Sequence, residues 1–421
     1  MVWLGSIQLS SGAEVLSSYT CPPEWARQQA IWLGFRTFKE GLNNEPLLGQ
    51  MLAPLSAHAH VNLVIESPEL FPDSETYFSR LGISPSNYSI ILSHPAFFWL
   101  RDSGPTFLKS RQGRIALSGT PYSGWLPMNA PGTARMVVDH RYFVSNIAAH
   151  TRCSVLPADI VLEGGSYEVN GEGVVLLSPV ILERNPGYTR WQIERKIIKI
   201  LGQKKAIWMA EGMAEDPYGF SRISGNYWAR GTGGHLDEYV RFVNTDTILL
   251  AWIPADAKDA NTITSINHYR LKENLRILKQ ATDCNGKNFT VIKAPVPDLI
   301  TRAFTVSQEQ ASLYAGKGIE IHEGDELSMV ATTSYLNFII ANDLILLPRY
   351  GNKKSATSVL LKDEKMLKIM ETLFPRHNIV QLNPLSLNWH GGGMHCITQQ
   401  QPAGRNRHVT EAISWEKYKL F

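Results

Sequence analysis

The apolar positions of this 421-residue chain form pairs of short runs separated by polar turn residues, and such pairs recur along the sequence. The strongest pair covers 166–169 and Val174–Leu177 and surrounds Asn170-Gly171, a dipeptide that favours a tight hairpin turn. Three similar pairs surround Gln112-Gly113, 244–246 and Asn342-Asp343. The pattern therefore predicts several β-hairpins, with one more strand after Cys396.

Helical spacing follows three of these hairpins, and another apolar run follows each predicted helix. The first helix begins after Thr189, a good N-terminal cap, and ends at Gly202. Its apolar face consists of Ile193, Ile197, Ile198 and Leu201. The other helices are predicted over 263–281 and 363–374, and the three strands that follow over 206–209, 289–293 and 379–382. The repeating unit is strand, strand, helix, strand.

Five acidic or reactive motifs each precede such a hairpin or strand, and they lie around Asp102, Glu163, His235, Ser334 and Cys396. Asp102 and Glu163 are 61 residues apart, and Glu163 and His235 are 72 apart. His235 and Cys396 are 161 apart, which is close to two units. Five units of about 80 residues, each with its motif at the same end, would gather the motifs at one axis, as propeller blades do. We therefore predict an α/β fold of five propeller-like units.

The same count predicts the domain organisation. Five units fill the chain without a linker, so we expect one domain over residues 22–421, preceded by an N-terminal extension over 1–21. Two connections, 210–233 and 298–326, are longer than a compact domain needs. We interpret them as candidate lids because both lead into a motif. The plainer interpretation is an ordinary surface excursion.

The composition, with 44% hydrophobic and 19% charged residues, is that of a globular protein able to bury a large core. A net charge of only +3, without a block of like charges, argues against nucleic-acid binding. Residues 1–18 contain neither a basic region nor a long apolar run, which argues against a signal peptide and a membrane span. Four widely spaced cysteines without a C-x-x-C pair are typical of a reducing compartment, so we expect a cytoplasmic protein.

Cys396 follows a run of three glycines and is a candidate thiolate nucleophile. His235 and three carboxylates, on Asp102, Glu163 and Asp237, can reach it only through folding. These residue types suit a guanidinium substrate. Two carboxylates can hold the flat cation, the thiolate can attack its carbon, and the histidine can protonate the departing ammonia and then activate water. Glu163 could hold His235 in its working tautomer, and no metal or organic cofactor is required.

Each of these residues also has a plainer interpretation. A lone cysteine is most often a buried core thiol, and Asp102 before Ser-Gly-Pro is a good turn former. His235 and Asp237 could be a local hydrogen-bonded pair on one strand. A metal site made of His235, His395 and Cys396 lacks a recognised spacing, so no metal ligand is predicted. The joint occurrence of the five residues is what favours catalysis.

Several segments stand out for their order along the chain as well as for their composition. They are Pro23-Glu-Trp25 with Ala30-Ile-Trp-Leu33, Trp99-Leu-Arg-Asp102-Ser-Gly-Pro-Thr106, Glu163-Gly-Gly-Ser166, Gly234-His-Leu-Asp237 with Arg241-Phe-Val243, Ser334-Tyr-Leu-Asn-Phe338 and Gly391-Gly-Gly-Met-His-Cys396-Ile-Thr-Gln-Gln-Gln401. Together they resemble the agmatine deiminase and Porphyromonas-type peptidylarginine deiminase family of the guanidine-modifying superfamily.

The resemblance implies a five-bladed α/β propeller with a central active site. By position it makes Cys396 the nucleophile, His235 the general acid and base, Asp102 and Asp237 the guanidinium clamp, and Glu163 the partner of His235. The implied reaction is hydrolysis of a guanidino group to a ureido group and ammonia, through an amidino-thioether on Cys396. The resemblance implies a small-molecule or peptide guanidino substrate and no cofactor.

Two departures from the family pattern bear on the substrate. Agmatine deiminases usually carry an acidic residue four positions before the active histidine, whereas this chain has Gly231 there and Arg230 beside it. A usual Phe-Asn-x-Trp-Gly stretch is replaced by the sequence at 120–125. Because arginine suits a carboxylate better than an amine, we expect an arginine side chain, free or at a peptide C-terminus, with agmatine as the alternative. The expected pocket residues, besides the clamp, are Trp99, Trp125, Arg230 and Asn337.

Two rival functions stay open. In an amidinotransferase, the Cys396 adduct would pass to an acceptor amine instead of water. A guanidine-binding protein would keep the pocket without turnover. The sequence also leaves open whether the chain forms a homo-oligomer.

Overall fold

Five blades of similar build make up most of the structure, a computed structural model that describes residues 18–35, 45–66, 74–316 and 318–405. In each blade the first two strands are antiparallel, a helix follows the second strand, and the third strand lies parallel to the second. This is the predicted strand, strand, helix, strand unit. The predicted five-bladed α/β propeller is confirmed.

The first two blades follow one another directly along the chain. The first consists of strands Phe107–Ser110 and Ile115–Gly119, helix Thr133–Thr151 and strand Ser154–Pro157, with Tyr19–Thr20 paired to its first strand. The second consists of strands Tyr167–Val169 and Val174–Leu177, helices Val180–Arg184 and Arg190–Leu201, and strand Lys205–Trp208.

The third and fourth blades repeat this arrangement. The third consists of strands Val240–Phe242 and Thr247–Trp252, helix Thr262–Gln280 and strand Thr290–Pro295. The fourth consists of strands Ile339–Ala341 and Leu344–Pro348, helix Thr357–Leu373 and strand Asn378–Leu382, followed by the short helix Leu385–Asn388.

The fifth blade joins the two ends of the described chain. Strand Thr398–Pro402 pairs antiparallel with Gln28–Gly34 from the N-terminal part. Helix Glu45–His58 then leads to His60–Ile65, which lies parallel to Gln28–Gly34. Helix Ser74–Arg80, the turn Pro85–Asn87 and strand Tyr88–Leu92 extend this sheet. The unit that begins at Cys396 is therefore completed by N-terminal strands.

The two long connections form one additional sheet, which we call the accessory sheet. Its strands, in spatial order, are Tyr218–Ser224, Tyr227–Thr232, Glu326–Val330 and Thr301–Thr305, with helix Gln308–Ala315 between the last two in sequence. The connections meet where Tyr227 pairs with Ser328 and Trp228 pairs with Met329. They are therefore not two separate surface excursions.

The second strands of the blades are buried on both faces because neighbouring blades pack side by side. Val174 and Leu176 contact the core that the third and fourth blades share. Val175 and Leu177, which point the other way, contact the core on the side of the first blade. Continuous apolar runs are what such strands require, since neither face meets water.

Local sequence determines the start of the helix Arg190–Leu201. Thr189 and Gln192 form a capping box, in which each side chain accepts a hydrogen bond from the other residue's backbone N–H. One predicted core position differs: Ile198 is half-buried, and Ile200 is buried instead. Among the helices of the described ranges, none is long and apolar enough to cross a membrane.

Helix Thr133–Thr151 of the first blade is not among the helices predicted from the sequence, although Val137, Val144 and Ala148 recur on one face at helical spacing. Gly132 precedes it and offers no side-chain cap. Phe143 and Val144 bury it against the first blade, and this packing overrides a weak local propensity.

The predicted extension over 1–21 and the domain predicted from residue 22 contact one another. Tyr19 and Thr20 already pair with Ser110 and Lys109 of the first blade, and Cys21 is buried. The rest of the predicted extension, and residues 406–421 of the predicted domain, lie outside the described residues.

Each sequence motif lies in a short turn just before the first strand of a blade. The turns are Leu100–Ser103 with Asp102, Gly164–Ser166 after Glu163, Leu236–Glu238 after His235, the segment 334–338 with Asn337, and His395–Ile397 around Cys396. Several of these turns contact one another directly. The repeat therefore brings the five motifs to one end of the propeller axis.

Candidate active site

Cys396 lies among these turns and is 6% exposed. Its sulfur accepts hydrogen bonds from Asn337 Nδ2 at 3.1 Å and from the backbone N–H of Gly393 at 3.3 Å. The sulfur also lies 3.6 Å from Asp237 Oδ2 and 3.7 Å from Glu238 Oε1. The nucleophile predicted from sequence thus contacts polar groups, which argues against an ordinary core thiol.

The surroundings of Cys396 disfavour its ionised form. Burial, followed by the nearby carboxyl groups of Asp237 and Glu238, raises the pKa of Cys396 well above its usual range. The N–H groups of Asn337 and Gly393 can stabilise a thiolate once a cation offsets the carboxylates. The reactivity of the sulfur should therefore depend on what enters the site.

The two oxygens of Asp237 have different surroundings. Oδ2 accepts hydrogen bonds from Asn337 Nδ2 at 3.2 Å and from His395 Nδ1 at 2.7 Å. Oδ1 is buried and has no hydrogen-bond partner among the described residues. A buried carboxylate oxygen without a donor is costly, so this atom marks a place where N–H groups of a ligand can bind.

His235 is buried between two carboxylates. Its Nε2 lies 2.9 Å from Glu163 Oε2, and its Nδ1 lies 3.5 Å from Asp102 Oδ1. Burial alone would lower the pKa of His235, but Asp102 and Glu163 raise it to about 9. The ring is therefore protonated at neutral pH and can protonate a leaving group.

Asp102 is anchored on both oxygens. Oδ1 accepts the backbone N–H of Gly165 at 3.0 Å, and Oδ2 accepts the indole N–H of Trp125 at 2.9 Å. Burial raises the pKa of Asp102 to about 6, with Glu163 adding to the rise and His235 opposing it. The carboxylate is therefore largely ionised at neutral pH, as a clamp for a cation must be.

Gly165 leaves room between these groups. A Cβ at this position would lie 2.5 Å from His235 Nδ1 and 3.1 Å from both Asp102 Oδ1 and Asp237 Oδ1. One imidazole nitrogen and two carboxylate oxygens therefore face the same small space. The arrangement suits a planar cation with N–H groups directed at two carboxylates. We call this space the Gly165 slot.

Trp99 borders the nucleophile. A Cβ on Gly392 would lie 2.6 Å from Trp99 Cζ3 and 3.1 Å from the sulfur of Cys396. The indole of Trp99 therefore packs against the glycine run beside the sulfur. Together with Trp125, it provides the aromatic part of the site.

Asn337 holds the nucleophile in place. Its Nδ2 group lies within hydrogen-bonding distance of three acceptors, Cys396 Sγ, Asp237 Oδ2 and Glu238 Oε1. Its Oδ1 accepts the backbone N–H of His395 at 2.9 Å. These contacts favour a role in positioning the sulfur, in addition to the substrate contact expected from sequence.

Arg230, the remaining expected pocket residue, lies in the accessory sheet. Its guanidinium group stacks on Phe220, 5.1 Å from the ring centroid, and donates a hydrogen bond to the Tyr314 hydroxyl. The positive charge of Arg230 also acts on His390, beside the glycine run. Burial, followed by the charges of Arg230 and a second arginine, lowers the pKa of His390 to about 4. The Arg230 side chain therefore contacts residues of the accessory sheet, and its contact with a substrate stays a prediction.

Glu163 is paired with a buried cation that belongs to no motif. Arg184 Nε donates to Glu163 Oε1 at 2.7 Å, and both side chains are 1% exposed. Burial opposes ionisation, but Arg184 and His235 lower the pKa of Glu163. Arg184 therefore keeps the partner of His235 ionised, and no spacing in the sequence identifies it.

Asp216 fixes the loop that carries His235. Its carboxylate accepts the backbone N–H groups of Thr232, of Gly234 at 3.0 Å and of His235 at 2.8 Å. Asp216 lies in the connection 210–233, which the sequence analysis interprets as a candidate lid. Its contacts with the loop that carries His235 therefore have no signal in the sequence.

Glu238 places a second carboxyl group beside the sulfur. Burial, followed by the charge of Asp237, raises the pKa of Glu238 well above its usual range. Asp237, Glu238 and Cys396 form a group of described residues whose ligand atoms lie within 4.8 Å of one another and could hold a metal ion. The alternative metal trio of His235, His395 and Cys396 is not formed, because both ring nitrogens of His395 face carboxylates.

The family described as Porphyromonas-type peptidyl-arginine deiminase matches residues 20–402 of this chain. The chain belongs to this family. The match covers every motif, from Glu24 to Cys396, so the family predicted from the sequence is confirmed.

Relatives and solved structures extend over most of the chain. The agmatine deiminase of Pseudomonas savastanoi pv. phaseolicola is 29% identical over 392 residues, which are 91% of this chain and 95% of that protein. A putative agmatine deiminase of Legionella pneumophila is 30% identical over 389 residues, which are 90% and 94% of the two chains. The structure of the agmatine deiminase of Enterococcus faecalis matches with a TM-score of 0.70 at 22% identity, covering 94% of this chain and 99% of that chain. The structural likeness establishes the fold.

Proposed function

We propose that this protein hydrolyses a guanidino group to a ureido group and ammonia through a covalent adduct on Cys396. The observation that carries the proposal is the convergence of His235, Asp102 and Asp237 on the Gly165 slot, with Asp237 also touching the sulfur. Membership of a deiminase family supports the same reaction.

Binding and activation are one step in this mechanism. The guanidinium group enters the Gly165 slot, and Asp102 and Asp237 accept its N–H groups. The positive charge offsets the carboxylates that keep Cys396 protonated. The thiol then releases its proton to solvent, and the thiolate attacks the central carbon of the bound cation.

His235 serves the two halves of the chemistry in turn. Attack forms a carbon–sulfur bond; His235 donates its proton to one amino nitrogen, the carbon–nitrogen bond breaks, and ammonia leaves. Neutral His235 then removes a proton from water, and the oxygen attacks the carbon of the amidino-thioether. The carbon–sulfur bond breaks, the protonated ureido product releases its proton to solvent, and the thiolate and protonated His235 are restored.

For the remainder of the substrate we propose an arginine group that bears a carboxylate, either free or at a peptide C-terminus. Arg230 supports this choice, because it places positive charge beside the glycine run. Gly231 supports it as well: a Cβ there would lie 2.3 Å from Asp216 Oδ1, so the chain has no room for an acidic side chain that could bind an amine.

Agmatine is the second candidate substrate, and the relatives favour it. Proteins named agmatine deiminase or putative agmatine deiminase are 29% and 30% identical over 91% and 90% of this chain. The guanidinium chemistry is the same for both candidates, and only the group that binds the far end of the substrate differs.

Ammonia release tests both the proposed reaction and the proposed substrate. We would compare agmatine, free arginine and a peptide ending in arginine, with Cys396→Ala as the inactive control. Activity confined to agmatine would overturn the choice of arginine. Ammonia release that depends on an added amine would instead favour an amidinotransferase, and a folded protein that releases none from any of the three would overturn the reaction.

We also propose a cytoplasmic location. Cys21, Cys153, Cys284 and Cys396 are all free thiols, which supports a reducing compartment. Fractionation of cells that express the tagged chain would check this, and recovery outside the cytoplasmic fraction would contradict it.

A further inference from the structure

Hydrogen-bonded ionisable side chains form a row that extends from Asp237, beside Cys396, to Arg241. Asp237 Oδ2 lies 2.7 Å from His395 Nδ1, and His395 Nε2 lies 2.7 Å from Glu24 Oε2. Arg241 donates to the same Glu24 oxygen at 2.6 Å and forms an ion pair with Glu168. The row connects Glu24, near the start of the described residues, with the site around Cys396.

The two carboxyl groups that flank His395 are held ionised by their neighbours. Burial opposes ionisation, but Arg241 and His395 lower the pKa of Glu24, and His395 lowers the pKa of Asp237. Each ring nitrogen of His395 lies 2.7 Å from one of these carboxylates, so the ring links Asp237 to Glu24.

This row distinguishes two neighbouring carboxyl groups. Asp237 and Glu238 lie at similar distances from Cys396 Sγ, 3.6 and 3.7 Å, and two negative charges there would repel each other. Only Asp237 contacts His395. The charge is therefore stabilised on Asp237, and Glu238 carries the proton.

The same contact orients Asp237. With Oδ2 held by His395, Oδ1 is directed into the Gly165 slot, 3.1 Å from the point that a Gly165 Cβ would occupy. We propose that Glu24 and His395 are positioning residues, which hold the Asp237 carboxylate ionised and turned toward a bound guanidinium. This inference rests on the proposed function, since the orientation matters for a cationic substrate.

The side chain of Glu24, which is 10% exposed, borders a small cleft. The cleft has a free volume of about 70 Å³ and is also lined by Arg101, Glu168, His395 and Gln400. Removing its side chain would enlarge this cleft next to His395. A small carboxylate such as formate could then enter and take the place of the missing group.

The test uses two reagents that alkylate Cys396. Chloroacetamidine carries an amidinium group and needs the clamp, whereas iodoacetamide is neutral and needs only the sulfur. We would measure, by mass spectrometry, the ratio of the rates at which the two reagents modify Cys396 in wild type, Glu24→Gln and Glu24→Ala, the last with and without formate. Glu168→Gln is the matched control, because Glu168 lines the same cleft and binds Arg241 without a hydrogen bond to His395.

The ratio should fall about tenfold or more in both Glu24 variants, as is common when a partner of an active-site ligand is lost. Formate should restore most of it in Glu24→Ala, and Glu168→Gln should stay near wild type. A wild-type ratio in folded Glu24→Gln, or no effect of formate on Glu24→Ala, would overturn the inference. The ratio of the two alkylation rates does not depend on turnover. A protein that releases no ammonia would refute the proposed function, and the ratio would still test the roles of Glu24 and His395.

Discussion

The carboxylate of Asp237 lies 3.6 Å from the sulfur of Cys396, and its other oxygen faces the Gly165 slot. One side chain therefore touches the proposed nucleophile and also the proposed guanidinium site. Its charge opposes ionisation of the thiol. A bound cation reverses that effect, so the sulfur becomes reactive when a suitable substrate is present.

The rate constant kcat/KM should show a bell-shaped dependence on pH. Asp102, whose pKa is raised to about 6, must be ionised to hold the cation, so activity is lost as pH falls through about 6. His235, whose pKa is raised to about 9, must carry a proton for the leaving ammonia, so activity is lost as pH rises through about 9. Initial rates at low substrate concentration report these free-enzyme values.

Glu163→Gln is the control for this assignment. Because Glu163 contributes to the raised pKa of both His235 and Asp102, both limbs should move to lower pH. The upper limb should move more, since Glu163 contacts the His235 ring directly. A wild-type profile that keeps rising beyond about pH 10, the ordinary range of lysine and tyrosine, would contradict the role of His235.

Gly165→Ala should abolish most activity while the protein stays folded. The added methyl group would lie 2.5 Å from His235 Nδ1 and would fill the slot between Asp102 and Asp237. We expect kcat/KM to fall about 100-fold or more, since small displacements in an active site have effects of this size. Steady-state kinetics and thermal unfolding would be measured together.

Gly316→Ala is the matched control for that variant. A Cβ on Gly316 would meet its nearest atoms at 3.5 and 3.7 Å, which are ordinary contact distances. Its kinetics should equal those of wild type. If Gly165→Ala kept full activity, the slot could not be the guanidinium site.

The repeating unit is predictable from sequence because turns and helix caps are local signals. Asn170-Gly171 and Thr189 each determine the boundary of an element to within a few residues. Pairing between distant segments has no such signal. Strand Gln28–Gly34 pairs with Thr398–Pro402, and the accessory sheet combines two connections. These partners are distant in sequence, so no local turn signal predicts their pairing.

The catalytic candidates are recognisable because acidic or reactive side chains beside glycines are uncommon in a core. The residues that support these candidates have no recognisable sequence pattern. Asp216, Arg184 and Glu24 act on partners 19, 21 and 371 residues away. Their roles follow from buried contacts that only the folded chain defines.

Arg184→Met should destabilise the protein strongly. The change leaves Glu163 Oε1 buried without the guanidinium group that it binds, and breaking a buried ion pair in this way costs about 3–5 kcal/mol. The double variant Glu163→Gln with Arg184→Met should recover part of that loss, because the charge and its partner disappear together. Urea unfolding of the three variants gives the free energies.

Arg190→Met is the control for Arg184→Met. Arg190 is exposed and stacks on Trp208 at the helix start, so its replacement should change stability by less than about 1 kcal/mol. Equal losses for the two methionine variants would contradict the importance of the buried pair.

Arg230→Ala should change the choice of substrate more than the chemistry. If Arg230 binds the substrate carboxylate, kcat/KM for free arginine and for a C-terminal arginine should fall about 10- to 100-fold, the range of one charge-assisted hydrogen bond. Agmatine has no carboxylate, so its kcat/KM should stay constant or rise as a positive charge is removed. Steady-state kinetics on the three substrates would give the ratio.

Tyr314→Phe separates that effect from damage to the accessory sheet. It keeps the aromatic ring that packs against Phe220 and removes the hydroxyl that accepts a hydrogen bond from Arg230. Because the guanidinium group is retained, the preference for arginine over agmatine should also be retained. Equal losses for all three substrates in Arg230→Ala would mean that Arg230 stabilises the sheet without binding the carboxylate, and agmatine would then be the favoured substrate.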